Sequence, residues 1–110
     1  KSRTMVAIAT GGNPNFAKIS AKKAAIFAVI EGIVKITCVG ARAVAATNCL
    51  NFGNPEKHDQ MGECVSAIDG LADVCRAVKI PIVSGNVSFY NESSARSIPP
   101  SALVSIFGKI

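Results

Sequence analysis

The alternation of apolar and polar stretches along the chain predicts four strands and two helices. Short apolar runs bounded by Gly, Pro, Asn or Ser favour buried strands, and longer runs with apolar residues three and four positions apart favour helices. The predicted strands span residues 4–9, 43–49, 82–87 and 102–107, and the predicted helices span residues 21–38 and 61–78. The order β-α-β-α-β-β predicts one sheet covered by helices.

The two predicted helices differ in how their apolar residues are distributed. The first is apolar on almost every side, which predicts burial on more than one face. Within it, Glu31 and Lys35 are spaced to pair, and Gly32 is expected at a close packing contact. The second helix has one apolar face, and on the opposite face Asp73 and Arg76 are spaced to pair.

Composition bounds the class of protein. The chain has 110 residues, of which 49% are hydrophobic and 17% are charged. The length indicates one domain or a piece of one, and the low charged fraction suggests that part of the surface is covered by another segment or partner. We therefore interpret residues 1–110 as a single partial domain, cut from a larger one.

The charge distribution argues against two classes of partner. The net charge is +5, but the basic residues are scattered and only 5% of residues are aromatic, so we expect no nucleic-acid partner. The longest apolar stretch, residues 24–39, contains two charged side chains and is too short to cross a bilayer. We therefore expect no membrane association, and no secretion signal is visible.

The cysteines do not indicate a metal or redox centre, because none forms a CxxC pair. They stand at positions 38, 49, 64 and 75. Buried, reduced thiols in a cytosolic protein are the expected explanation.

Three polar segments follow or end the first three predicted strands: "TGGNPN", "TNCLNFGNPE" and "SGNVSFYNE". Their glycines allow close approach to the backbone, and their amide and hydroxyl oxygens are hard ligands suited to Mg²⁺ and phosphate. Ligands in open α/β sheets bind at strand ends, so we expect a pocket for a magnesium-bound anion there. For any single turn, a role in turn geometry alone stays open.

Two other features carry less information about chemistry. His58 lies in the charged loop "EKHDQ", where solvation is the favoured interpretation over catalysis. Tyr90, Asn91 and Glu92 are candidates either to order the loop or to contact a ligand, and the sequence does not separate these two roles.

The segments "TNCLNFGNPEK" and "SGNVSFYNE" resemble the phosphoribosylformylglycinamidine synthase family. The similarity runs through "AIATGGNPN" and "SIPPSALVSIFG" as well, in order and with matching spacing over nearly the whole chain. The match is to the second of two homologous halves of the synthetase chain. The resemblance implies the α+β fold of the N-terminal domain of aminoimidazole ribonucleotide synthetase, with a mixed sheet covered by helices on one side.

The activity implied by the resemblance is a ligase reaction of purine biosynthesis. Formylglycinamide ribonucleotide (FGAR) would be converted to its amidine, with ATP activating the amide oxygen by phosphorylation and ammonia displacing the phosphate. Ammonia would come from glutamine through a glutaminase subunit or domain. The other implied partners are the rest of the synthetase chain and a dimer-like strand interface, with a homodimer as one form of it, and the implied location is cytoplasmic.

The resemblance also assigns site residues. Asn48 and Gly85 would contact ATP, Asn86 would bind Mg²⁺ and Ser88 would bind the substrate. The family usually has Asp at the positions of Asn48 and Gly11, and Arg at that of Asn15. No catalytic residue is assigned here.

The segment alone is expected to lack synthetase activity, since the family's catalytic His, other acidic metal ligands and the glutaminase are absent from it. Two alternatives remain at this level. One is a kinase-like relative with the same fold, and the other is a non-catalytic half that supplies the dimer interface.

Overall fold

A computed structural model describes residues 3–110, so the first two residues of the predicted segment 1–110 lie outside the described residues. Within this range the chain forms four strands and three helices. The strands are β1 (Val6–Gly11), β2 (Arg42–Asn51), β3 (Ile82–Ser88) and β4 (Ser101–Lys109). The helices are α1 (Pro14–Ala17), α2 (Ala21–Thr37) and α3 (His58–Val78). All six predicted elements are confirmed in order, and the one-turn helix α1 is an addition.

The four strands form one mixed sheet in the order β1-β4-β2-β3. Strand β4 is antiparallel to both β1 and β2, and β2 is parallel to β3. Strands β1, β2 and β3 therefore run in one direction and end at the same edge of the sheet. The predicted α+β fold with a mixed sheet is confirmed.

Helices cover one face of this sheet. Helix α2 packs on β1 and β4 and also on α3, which confirms its predicted burial on more than one face. Side chains of β4 alternate across the sheet, so Val104 and Ile106 are fully buried under α2 while Leu103 faces the other side. On that open face of β1, Val6 and Ile8 are 72% and 61% exposed.

Close contacts of α2 follow from single residues. Gly32 lies against Ile106, and a Cβ there would come within 2.5 Å of the Ile106 Cγ1, so the predicted packing contact is confirmed. Lys35 and Glu31 form the predicted ion pair. The prediction for Asp73 was wrong: its carboxylate lies 3.4 Å from the Lys22 Nζ, because packing of α3 on α2 brings Lys22 nearer than the expected partner on its own helix.

The four cysteines are free, but only two are buried. Cys64 and Cys75 lie in the core, where desolvation raises the pKa of each thiol. Both are therefore protonated and unreactive at neutral pH. Cys38 is exposed and Cys49 is half-buried, so the expectation of buried thiols was wrong for Cys38, which follows the last residue of α2.

Candidate functional site

The segments predicted to carry ligand chemistry meet at one edge of the sheet. Val104 of β4 pairs with both Gly11 of β1 and Asn48 of β2, and Asn48 in turn pairs with Gly85 of β3. The end of β1 is therefore level with Asn48 and Gly85, and β2 and β3 continue together for three more residues, to Asn51 and Ser88. The first three strands, whose ends we expected to form one pocket, are not all neighbours in the sheet. Strand β4 lies between β1 and β2 and sets them about 10 Å apart.

Asn48 and Gly85 face each other directly across the parallel pair. Both lie within regular strand, not in the turns that follow, so Gly85 is not needed for an unusual backbone angle. It is needed for space, because a Cβ at Gly85 would overlap the Oδ1 of Asn48. The side chain of Asn48 thus covers one face of Gly85.

Asn86 points to the opposite face of the sheet from Asn48. It pairs with Cys49 on the open face, as strand alternation requires. Strand β3 is the edge of the sheet, so both faces of it reach one groove of about 490 Å³. Asn48, Gly85 and Asn86 all line that groove.

Most of the groove is apolar, and its polar side chains are those of Asn48, Ser84 and Asn86. Its lining comprises Asn48, Leu50, Cys64, Ile68, Ile82, Val83, Ser84, Gly85, Asn86, Val87 and Phe89. None of these described residues is charged. Within residues 3–110, the side-chain amides of Asn48 and Asn86 make no hydrogen bond to another residue, so both remain available to a ligand.

Ser88 sits at the end of β3 on the same face as Asn86, and it is held by two amides. Its hydroxyl donates to the Oδ1 of Asn51 at 2.8 Å and accepts from the Nδ2 of Asn91 at 2.9 Å. Asn91 Nδ2 also donates to the carbonyl of Phe52 at 3.0 Å. Unlike the two groove amides, this hydroxyl is oriented by the protein itself.

The two segments that carried the family resemblance form one structural unit. After β2 and β3 end, residues 52–57 and 89–92 run side by side. Phe52 N donates to the carbonyl of Ser88 at 3.0 Å, Tyr90 N to that of Gly53 at 2.9 Å, and Asn91 N to that of Phe52 at 3.1 Å. These bonds continue the β2–β3 pairing beyond the strands and fix the position of the sheet edge.

Glu92 anchors this loop pair. Its carboxylate accepts from the Ser97 hydroxyl at 2.7 Å and from the Asn54 N–H at 2.9 Å, and it lies 3.4 Å from the Lys57 ammonium. The hydrogen bond from Ser97, and after it that from Asn54, hold the pKa of Glu92 below its usual range. Of the two roles that the sequence left open for Glu92, ordering the loop and contacting a ligand, these contacts show the first.

Tyr90 has the same ordering role at an unusual backbone angle. Its φ of 60° lies in the left-handed region, which is uncommon for a residue with a Cβ. The phenol donates to the Oε2 of Glu56 at 3.2 Å. The negative charge of Glu56, reinforced by this hydrogen bond, raises the pKa of Tyr90.

The first turn is closed by α2. A Cβ at Gly11 would overlap the carbonyl oxygen of Ala28, which leaves no room for the Asp that the resemblance implies. The Gly12 N–H donates to Glu31 at 3.1 Å, and the Lys35 ammonium donates to the Thr10 carbonyl at 2.8 Å. This turn therefore presents no free carboxylate to the sheet edge.

Other candidate chemistry is limited in the described part of the chain. His58 is exposed, as predicted, but it is the first residue of α3 and not part of a loop, because α3 begins three residues before the predicted start at residue 61. Among residues 3–110 no three His, Cys, Asp or Glu side chains converge as a metal site. In the same range no helix is both long and apolar enough to cross a membrane.

Of the two amides that hold Ser88, sequence reasoning missed Asn51, and it named Asn91 only as a candidate to order the loop or to contact a ligand. Asn51 is the register partner of Ser88 on β2, so the pairing of the two strands would have indicated it. Asn91 acts across a loop, and no local pattern in the sequence signals its contact.

Taken together, the molecule is an α+β domain in which neutral amide and hydroxyl side chains gather at the carboxyl ends of a parallel strand pair. Over residues 1–110 the chain matches the family described as AIR synthase related protein, N-terminal domain, and it belongs to that family.

Relatives with known names agree with this assignment. The phosphoribosylformylglycinamidine synthase subunit PurL of Thermomicrobium roseum is 44% identical over 105 residues, which cover 96% of this chain and 14% of that protein. The chain therefore spans about one seventh of the length of that relative. The resemblance to the phosphoribosylformylglycinamidine synthase family is confirmed.

Solved structures show the same fold. Thermotoga maritima PurL complexed with ATP has a TM-score of 0.91 and 31% identity, covering 100% of this chain and 19% of that one. The same protein complexed with FGAR has a TM-score of 0.91 and 29% identity, covering 100% of this chain and 18% of that one.

Proposed function

We propose that this chain is a segment of the synthetase chain of a phosphoribosylformylglycinamidine synthase, acting in the cytoplasm in purine biosynthesis. The observation that carries the proposal is the edge groove, which brings Asn48, Gly85 and Asn86 together in a fold matching PurL complexed with ATP and with FGAR. The parent enzyme would be an ATP-dependent ligase that takes FGAR and glutamine-derived ammonia. A glutaminase subunit or domain and the rest of the synthetase chain would be its partners.

The nucleotide is assigned to the face of the β2–β3 pair that carries Asn48. The amide of Asn48 is free to bond a nucleotide group. Because this amide fills the space over Gly85, the nucleotide would meet Asn48 on this face and the Gly85 backbone only along the open edge of the strand. An edge strand also presents unpaired backbone groups to a ligand. The chain's contribution is to bind and orient the nucleotide.

The described residues fit Mg²⁺ as a partial set of ligands. Asn86 offers one neutral amide oxygen on an exposed edge, and no charged side chain lines the groove in the described part of the chain. Mg²⁺ prefers six oxygen ligands and is often bound by one or two protein groups with water and phosphate oxygens. Asn86 would therefore hold the ion together with phosphate oxygens and groups from outside this segment.

The substrate is assigned to Ser88, two residues beyond Asn86 on the same strand face. Alternation places the two side chains about 7 Å apart along β3, a spacing that suits neighbouring contacts to a metal and to FGAR. Ser88 would help to position FGAR beside the nucleotide, while the reacting groups would come from the remainder of the protein.

Three observations favour a second candidate function, that of a non-catalytic half that supplies an interface. The groove contains no charge, Asn48 replaces an expected Asp, and the Gly11 turn is closed by α2. In that case the open face of the sheet, which carries Ile8, would pair with a homologous half or a second copy of the chain.

Calorimetric titration of the full-length synthetase with an ATP analogue and Mg²⁺, and separately with FGAR, tests the proposal. We expect Asn86→Ala to weaken nucleotide binding in the presence of Mg²⁺ and Ser88→Ala to weaken FGAR binding, each about 10-fold, as loss of a polar contact predicts. Unchanged affinity and turnover in both variants would support the interface role instead. The 110-residue segment alone should show no ATP-dependent amidine formation.

A further inference from the structure

The hydroxyl of Ser88 has a fixed polarity, and this limits which group of the substrate it can bind. A serine hydroxyl has one proton to donate and two lone pairs that accept. In this chain the proton is directed to Asn51 and one lone pair is taken by Asn91. One lone pair remains.

The direction of this relay is set by a backbone carbonyl, which can only accept. Asn91 faces the Phe52 carbonyl at 3.0 Å, so the amide atom at that position must be the NH₂ group. The same NH₂ group lies 2.9 Å from the Ser88 oxygen and therefore donates to it. The serine proton is then free to point toward Asn51.

Asn51 completes the relay at its other end. Its Oδ1 accepts from Ser88 at 2.8 Å, while its Nδ2 faces the Cys49 carbonyl at 3.4 Å, again an obligatory acceptor. The orientation of both amides is thus decided by main-chain oxygens. The relay runs in one direction, from Asn91 through Ser88 to Asn51.

We infer that Ser88 recognises its ligand only as a hydrogen-bond acceptor, so that it binds an N–H or O–H group and not a phosphate oxygen, with Asn51 and Asn91 as positioning residues. The inference rests on the proposed function, in which the ligand is FGAR. Ionised phosphate offers acceptors only, so it cannot satisfy the remaining lone pair. The ribose hydroxyls and the amide N–H groups of FGAR can.

A set of FGAR analogues, tested on the full-length synthetase, shows whether Ser88 binds a ribose hydroxyl, an amide N–H group or the phosphate of FGAR. The set comprises FGAR, its 2′-deoxy and 3′-deoxy forms, forms methylated on each amide nitrogen, and the riboside that lacks the phosphate. Binding of each is measured to the unmodified protein and to Ser88→Ala. We expect Ser88→Ala to weaken the binding of FGAR by about 3- to 10-fold, as loss of one neutral hydrogen bond predicts.

The pattern across the set is the decisive result. For each analogue, we compare its affinity for the unmodified protein with its affinity for Ser88→Ala. The analogue that lacks the N–H or O–H group bound by Ser88 should bind both proteins equally, because that hydrogen bond is already missing. The riboside keeps every such group, so Ser88→Ala should weaken its binding as much as it weakens that of FGAR. If the loss vanishes with the riboside, or persists with every donor-deleted analogue, the inference is overturned. If the unmodified protein does not bind FGAR at all, the proposed function itself fails. If it binds FGAR but the analogues give the wrong pattern, only the inference about Ser88 fails.

A matched pair of variants tests the positioning role. Asn51→Leu removes the oxygen that accepts the Ser88 proton and keeps a side chain of similar shape, so it should weaken the binding of FGAR by about 3- to 10-fold. Asn51→Asp keeps an acceptor oxygen toward Ser88, so it should restore most of that loss and retain the analogue pattern. Equal behaviour of the two variants would overturn the assigned polarity, and the analogue series on the unmodified protein still tests it where a variant does not fold.

Discussion

At the scale of single residues, the closest fit in the site is that of Asn48 over Gly85. The amide occupies the position that a side chain at Gly85 would need, so the two residues act as one steric unit. This constraint is non-local, because 37 positions separate the residues in sequence (85 − 48). The effect on stability of substituting one of these residues therefore depends on which side chain occupies the other position.

We expect Gly85→Ala to destabilise the protein by about 1–3 kcal/mol, the usual cost of overpacking. Adding Asn48→Ala should recover most of that loss because it removes the overlapping atom. Thermal unfolding of the full-length chain measures both effects. Gly62→Ala is the matched control: it adds the same methyl group in α3 with no atom within 4 Å, and should stabilise by about 0.5–1 kcal/mol. Equal losses in Gly85→Ala and the double variant would contradict the steric explanation.

At the scale of elements, the loop pair after β2 and β3 depends on an ionised Glu92. Its pKa is lowered in the folded protein, so its contribution to stability is present above the usual Glu range and is lost as pH falls through the lowered value. We therefore expect the advantage of the wild type over Glu92→Gln, measured as a difference in unfolding midpoint, to be present at pH 7 and to shrink below about pH 4. A difference that does not change with pH would contradict this account.

The end of α3 offers a second prediction. Its C-terminal capping residue is Lys79, with φ 57° and ψ 44°, a left-handed conformation that usually favours Gly. Lys79→Gly should stabilise the protein by about 1 kcal/mol, since the exposed lysine side chain contributes little there. Lys79→Ala retains a Cβ and should show no comparable gain in a denaturant titration; similar gains for both would refute the backbone explanation.

The elements themselves were largely readable from the sequence, because apolar periodicity reports which faces are buried. Helix α3 illustrates this, with its regular spacing of apolar residues and its observed end at Val78. Helix α1 was missed because four residues carry no periodic signal. The insertion of β4 between β1 and β2 was not readable either, since strand pairing depends on contacts far apart in sequence.

The candidate site was also only partly predictable from the sequence. Asn48, Gly85, Asn86 and Ser88 were named from a family resemblance. Placing Asn48 and Asn86 on opposite faces also requires the register of β2 and β3, in which Asn48 pairs with Gly85. The relay through Asn91 required the folded loop, because its carbonyl partner lies 39 positions away (91 − 52). Local patterns therefore identify which residues carry chemistry, and tertiary contacts decide their orientation.

At the scale of the whole molecule, the sheet is covered on one face only. Val6 and Ile8 are exposed on the open face, where Ile8 pairs in register with Phe107. Contiguous apolar surface of this kind usually marks an interface. This chain spans about one seventh of the length of the Thermomicrobium roseum relative, so we expect further segments of a longer protein to cover the open face.

If the open face is covered in the intact synthetase, Ile8→Lys should lower its thermal midpoint strongly, because a charge would be buried without a partner. Ile19→Lys is the matched control, since Ile19 is 84% exposed and lies between α1 and α2, away from the sheet face. It should have little effect. Equal small effects of both substitutions would show that the open face stays in solvent.

The most direct test of the central claim is a crystal structure of the full-length synthetase with an ATP analogue, Mg²⁺ and FGAR. The account predicts the Asn86 Oδ1 at about 2.0–2.1 Å from Mg²⁺, the nucleotide beside the Asn48 amide and the open edge of β3 at Gly85, and an N–H or O–H group of FGAR within about 3 Å of the Ser88 oxygen. Nucleotide and substrate bound elsewhere, with the β3 groove filled by protein side chains, would contradict it.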